Sequence, residues 1–203
     1  CDLPKNLYRN LLVVREVYRQ QQKMYHERSC RIQGRIVSIS QPHIRPIVRG
    51  KAGVPVEFGA KVSASYVDEF ISFDRISFDP YNESQDLPQQ VEAYKSRHGV
   101  YPASVHVDKI YRTQANRKYC QERGIRLSGA PLGRPRKDAQ EQRKIKQQQR
   151  DDARYRSRIE GVFGNGKRRL SINRVLTKLS STTITVIMLA GITLNFIKIL
   201  RQF

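Results

Sequence analysis

The chain has 203 residues, 38% of them hydrophobic, which is enough for one large domain with its own core. Its 38 Lys and Arg against 18 Asp and Glu leave a formal charge of +20. That excess speaks about partners rather than fold: nucleic acid first, then an anionic membrane surface or an acidic polymer. Three scattered cysteines (Cys1, Cys30, Cys120) form no C-x-x-C pair, which argues against a disulfide framework or a zinc site and for a reducing compartment. The opening CDLPKNLYRN has no signal-peptide pattern and starts on Cys, so the chain reads as a piece of something longer.

Residues 5–27 carry Leu7, Leu11, Val14, Val17 and Tyr18 at helical spacing among Arg, Lys and Gln, and predict an amphipathic helix. Its QQQK stretch is either a solvated face or a DNA-facing arm. GRIVSIS (34–40) is strand-like. Residues 41–53, QPHIRPIVRGKAG, read as a Pro/Gly-punctuated loop whose Arg45, Arg49 and Lys51 are either simply solvated or grip phosphates.

VEFGAKVSASYV (56–67) and FISFDRISF (70–78) alternate polar and apolar residues around Asp68-Glu69, the pattern of an antiparallel hairpin. A helix is expected after Asp86, with Gln89 completing a capping box, Pro88 in its first turn and Gly99 ending it. ASVHVD (103–108) reads as a strand, Thr113 as the cap of a helix running to Arg123, and IRL (125–127) as one more strand. The order predicts a mixed α/β sheet with helices packed on it.

Residues 133–158 are polar and basic, so 134–154 is a linker or an exposed helix. An apolar stripe returns with Tyr155, Ile159, Val162 and Phe163, and Gly164-Asn165-Gly166 is a turn signal that could end that helix. The segment 182–200, TTITVIMLAGITLNFIKIL, approaches bilayer length, but its threonines, Asn195 and Lys198 make it a buried, helical core element rather than a membrane span.

Two acids stand out. Asp108 sits at the carboxyl end of a strand, where open α/β sheets bind ligands; it could equally lead the helix that follows, although Thr113 is available for that. Glu160 shares a helix face with Arg156 and Lys167, which is either a surface ion pair or a carboxylate held between cations.

Arg156, Glu160 and Lys167 form R-x-x-x-E-x-x-x-x-x-x-K, which resembles the Y-(2)-R-(3)-E-(6)-K signature of bacterial insertion-sequence transposases of the DDE class, with Ala153 where the signature has tyrosine. VHVDKIYRTQANRKYCQERGIRLSGAPLGRP resembles the segment around the second catalytic aspartate of those enzymes, and RPIVRGKAGVPVEFGAKVS the stretch before their second core strand. The resemblance implies an RNase H-like mixed sheet flanked by helices. It divides the chain into an N-terminal amphipathic helix (1–33) and a partial catalytic domain (34–203) lacking its first core strand.

It also implies Mg²⁺, with Mn²⁺ as substitute, held by three carboxylates of which Asp108 and Glu160 are two. Arg156, Lys167, Lys109, Arg112, Arg45, Arg49 and Lys51 would hold DNA. Among the acids before the hairpin, Asp2 is terminal and Glu16 and Glu27 belong to the first helix, while Asp74 comes too late in the order; the first aspartate is therefore expected upstream of Cys1, leaving this chain inactive alone. The implied setting is the bacterial cytoplasm, as a homo-oligomer on transposon-end and target DNA, away from membranes. The competing readings are a non-catalytic basic nucleic-acid-binding module (or degenerate transposase remnant) and an RNase H-like nuclease for another substrate.

Overall fold

The computed structural model describes residues 3–48, 56–131, 133 and 138–202. The expected helix at the start is α1, Lys5–His26. It buries Gln20 and Met24, and the Gln20 amide pins the next segment by donating to Gly34 O (3.2 Å) and accepting from Ile36 N (3.0 Å). Because those backbone groups bond to a side chain, GRIVSIS forms no strand here.

The loop expected at 41–53 is in part a strand: β1, Arg45–Val48, pairs antiparallel with β2, Val56–Gly59. Gly59, at φ +138°, then turns the chain away, so the single strand expected over 56–67 is two strands with different partners. The second, β3 (Lys61–Val67), pairs with β4 (Phe70–Ser77). Asp68 and Glu69 close this hairpin with both φ values positive, the backbone a two-residue turn needs to match strand twist. Asp74 is the extra residue of a β-bulge, since Ser63 faces Arg75 while Ala64 faces Phe73.

A 3-10 turn, Glu83–Asp86, leads into α2, Leu87–His98, which ends at a left-handed Gly99 as expected. The capping box is not formed. Asp86 is buried and instead takes Arg75 Nη1 (3.0 Å) and the Tyr81 hydroxyl (2.7 Å), tying the turn to the hairpin. β5 is short, Ser104–Val105, and pairs in parallel with β6, Arg126–Leu127. Between them lies α3, Gln114–Glu122, capped by Thr113 Oγ1, which accepts from Asn116 N at 3.2 Å. Leu87, Val91, Cys120 and Ile125 form the core here, so Cys120 acts as a small apolar side chain.

The polar stretch after residue 138 is helix. α4 runs from Ala139 to Arg169 without a break at Gly164-Asn165-Gly166. Tertiary contact explains the continuity: a Cβ on Gly166 would meet Ile172 Cδ1 at 2.7 Å and Leu194 Cδ1 at 3.3 Å, so the bare backbone allows close packing. α5, Ser180–Ile199, is buried on one face only, through Thr183, Ile187, Ala190, Gly191 and Leu194. The expected buried, helical core element is thus a helix buried on one side, with Met188, Leu189, Ile192 and Phe196 exposed; by length and composition alone this helix could cross a membrane. Asn195 completes β4 by exchanging two hydrogen bonds with the Ile71 backbone, both 2.9 Å. Phe73 of β4 lies against Gly191, where a Cβ would come within 2.8 Å of its ring, and stacks on Phe163 of α4 at 6.0 Å.

The architecture is mixed α/β, but the single mixed sheet expected from the sequence is replaced, among the described residues, by three two-stranded pieces. The turn at Gly59 lies between the first two pieces.

Candidate active site

Asp108 follows β5 by three residues and begins a 3-10 turn, Lys109–Tyr111, in extended conformation. Its backbone is fixed from both sides. Tyr111 N donates to Asp108 O (3.1 Å), and Val107 N donates to Ser128 Oγ (3.0 Å). Arg112 donates to Val107 O (3.2 Å) and packs so tightly on Gly129 that a Cβ there would sit 2.3 Å from the guanidinium carbon. The Asp108 carboxylate makes no cap to its own turn, so it does not lead a helix in the ordinary way. It extends instead to α4.

Arg156 meets it there. Arg156 Nη1 lies 3.2 Å from Asp108 Oδ1, and its Nε lies 3.9 Å from Glu160 Oε1, one turn further along the helix. One guanidinium therefore joins the two acids singled out by sequence. Both carboxylates are mostly exposed, at 64% and 65%, so neither has paid a large desolvation cost.

Four residues before Arg156 on the same helix, Asp152 is 7% exposed and fully engaged. Arg126 of β6 grips it with two hydrogen bonds (3.0 and 2.9 Å), Gln148 adds one at 3.3 Å, and His106 Nδ1 lies 3.3 Å away. Burial acts to raise the Asp152 carboxyl, but the hydrogen bonds from Arg126 and Gln148 and the charges around it outweigh burial and hold it low. Burial pushes His106 down, with Arg126 adding to it and Asp152 opposing. His106 also lies against Tyr155, ring centres 5.0 Å apart. This clamp fixes α4 to the β5–β6 pair and so sets Arg156 and Glu160 beside Asp108. Sequence reasoning missed it, because Asp152 sits in a polar run and its partners lie 26 and 46 residues earlier; two adjacent acids among cations were the only local hint.

Of the other residues expected to bind DNA, Lys109 and Lys167 are exposed. Arg112 and Arg45 are engaged within the chain: Arg112 as above, and Arg45 with Ile44 O (3.2 Å), Pro42 O and Asp79 (3.8 Å). Arg49 and Lys51 lie outside the described residues. Ala153, where the resemblance would place a tyrosine, lines a cavity of about 180 Å³ with Arg112, Ser128, Asp152 and Arg156. Asp74 bonds to Ser65 and to Gln90 (2.9 Å), Glu16 to Arg19 (2.6 Å), and Glu27 pairs with Lys23 (3.8 Å). Among the described residues no group of three His, Cys, Asp or Glu side chains is assembled for a metal ion.

Asp108 and Glu160 are thus exposed carboxylates sharing an arginine, one in the turn after β5 and one on a long basic helix, not a buried structural pair. Residues 105–197 match the family model described as "Transposase DDE domain", a span that includes Asp108, Arg156, Glu160 and Lys167. That match supports a DDE transposase domain over this part of the chain. No curated protein and no solved structure matches the chain.

Proposed function

We propose that the chain is part of a DNA transposase of the DDE class, with an RNase H-like catalytic domain to which it contributes two of three metal-binding carboxylates. The observation that carries this reading is the single Arg156 guanidinium shared by Asp108 and Glu160, at 3.2 and 3.9 Å, inside the matched segment. Two accessible carboxylates on separate elements suit Mg²⁺, or Mn²⁺ in its place, because a hard ion takes oxygen ligands and keeps several waters. Asp108 and Glu160 would hold it, and when bound it would supply electrostatic stabilisation of the entering and leaving oxygens of a phosphodiester.

The remaining work falls to the chain's own cations. Arg156 keeps the two carboxylates together, and Lys109 and Lys167 stand exposed nearby in sequence to hold phosphates. α4 as a whole carries ten Lys or Arg against four acids, an electrostatic footprint for the DNA backbone. The assembly acts in the bacterial cytoplasm as a homo-oligomer on transposon-end and target DNA.

The test is Mn²⁺ binding followed by electron paramagnetic resonance on the complete protein. Binding that is lost in both Asp108→Asn and Glu160→Gln supports the site; binding that survives both removes it. The second reading, a non-catalytic DNA-binding module, is favoured by the fact that no third His, Cys, Asp or Glu is grouped with Asp108 and Glu160 among the described residues. It predicts salt-sensitive DNA binding that is indifferent to Mg²⁺ and to both substitutions.

A further inference from the structure

α4 has a second polar face. At about 100° per residue, Arg158, Asn165 and Arg169 fall within about 40° of one another and on the opposite side of the helix from Arg156 and Glu160. They line a cavity of about 390 Å³ together with Lys198 near the end of α5, Arg201 just beyond it, and Tyr66 and Glu69 from the β3–β4 hairpin. The far wall is fixed, because Leu194 is buried and Asn195 is bonded to the Ile71 backbone.

Four cations meet one acid in this space. Glu69 pairs with Lys198. Arg158 lies over the Tyr155 ring, 4.7 Å from its centre, a contact that leaves its N–H donors open. Arg169 and Arg201 are exposed and form no side-chain hydrogen bond or ion pair among the described residues. Arg75, Arg112 and Arg126, by contrast, are each spent on a partner within the chain. Like charges gathered in one cleft repel unless they share an anion.

The donors identify that anion. Guanidinium groups offer paired N–H donors that match phosphate oxygens, and the Tyr66 hydroxyl at the rim can add another. Length then separates a chain of phosphates from a single one. Arg158 and Arg169 are attached about 16 Å apart along the helix, whereas a free phosphate needs its cations converging on one point. A free nucleotide needs a flat slot for its base, and Tyr66 is the one aromatic side chain among the described residues that line the cleft.

We propose that this cleft binds the phosphates of a nucleic-acid backbone, at a site separate from Asp108 and Glu160. α4 with its side chains is about 10 Å across, so phosphates at the acids and in the cleft lie on opposite sides of the helix and belong to different stretches of nucleic acid. DNA as the polyanion rests on the proposed function; the cleft itself does not.

Fluorescence anisotropy of a short DNA duplex of arbitrary sequence, titrated with the chain in EDTA over a series of salt concentrations, tests it. The wild-type chain is expected to bind. Arg169→Gln together with Arg201→Gln should weaken binding about 10-fold or more and flatten the log–log salt slope by about 2, since two phosphate contacts are lost. Gly161→Glu should weaken it about 10-fold by adding a carboxylate to the lining. A Cβ at Gly161 meets nothing within 4 Å and glutamate favours helix over glycine, so the fold tolerates this change. Lys5→Gln together with Arg15→Gln, which removes the same charge from exposed positions of α1, should change affinity by less than about threefold. Duplex binding that ignores the cleft variants, or that falls equally in the α1 variant, overturns the site and leaves the proposed function standing. A wild-type chain that binds no DNA overturns both. Calorimetry with inorganic pyrophosphate separates the sources, and no heat of binding is expected. A pyrophosphate site abolished by the Arg169 and Arg201 substitutions, beside unchanged duplex binding, would make the occupant a free oligophosphate and overturn the backbone assignment.

Discussion

Asp152 and Asp108 are both aspartates that meet an arginine where α4 touches the β5–β6 region, yet they are built for opposite purposes. Asp152 is 7% exposed, receives three hydrogen bonds and has a histidine against it. Asp108 is 64% exposed and meets only the end of one guanidinium among the contacts seen. A buried carboxylate held by three hydrogen bonds holds structure together, whereas one with lone pairs facing solvent is available to a ligand. Asp152 lies one turn before Arg156 on α4, and Arg156 reaches across to Asp108 in the turn after β5, so the structural acid positions the available ones.

The largest effect that could break this comparison is catalytic. If the proposed function holds, Asp108→Asn or Glu160→Gln should lower strand cleavage by the complete protein about 10³-fold or more, equivalent to about 4 kcal/mol in the barrier. The melting temperature should not move measurably, because exposed pairs contribute about 1 kcal/mol at most. A large fall in melting temperature with retained cleavage would reverse the assignments of the two acids.

Asp152→Ala should do the converse. Removing one member of a buried pair should cost about 2–4 kcal/mol, tempered because Arg126 is 41% exposed and can turn to water. For a domain of this size that lowers the melting temperature by roughly 5–15 °C in differential scanning calorimetry. Metal binding at Asp108 and Glu160 should weaken only as far as α4 loosens.

Little of this clamp could be read from the sequence, whereas Asp108 could. A strand before Asp108 and a cap at Thr113 are local signals carried by neighbouring residues; the cap is present, and the strand is present but shorter than 103–108, ending at Val105, three residues before Asp108. Asp152 depends on Arg126 and His106, which only the folded chain brings near. The same distinction explains Asp86. Its capping-box pattern is local, but Arg75 and Tyr81 compete for the carboxylate and win once the hairpin packs on the turn. It also explains the sheet: alternation predicted strands, but the change of partner at Gly59 depends on which edge is near.

A pH dependence of stability comes next in size. His106 is held below its ordinary 6.5, so between that value and its folded one the unfolded chain takes up a proton that the native chain refuses. Stability should therefore fall as pH drops through 6.5 and then level off. Asp152, held below its ordinary 3.8, contributes stability above that value that is lost as pH falls further. His106→Gln should shrink the upper phase in urea titrations at successive pH values without abolishing it, since burial, with Arg45 and Arg9, also lowers His43. An unchanged upper phase would place the proton-sensitive group elsewhere.

The smallest expected effect concerns the long helix that carries Asp152 and Glu160. Gly164 lies in α4 with open space around it, so Gly164→Ala should raise stability by about 0.5–1 kcal/mol in denaturant titrations. If the helix ended at Gly164 instead, alanine would bring no gain.

Gly191 shows how far the tolerance of a position can lie from its chemistry. It touches none of the acids, and a screen of random substitutions scored by function would have no chemical reason to single it out. Yet any side chain there drives into Phe73, and Phe73 leans on Phe163, three residues past Glu160 on α4. Such a screen should return Gly191 as nearly invariant, with its few survivors carrying a smaller residue at position 73.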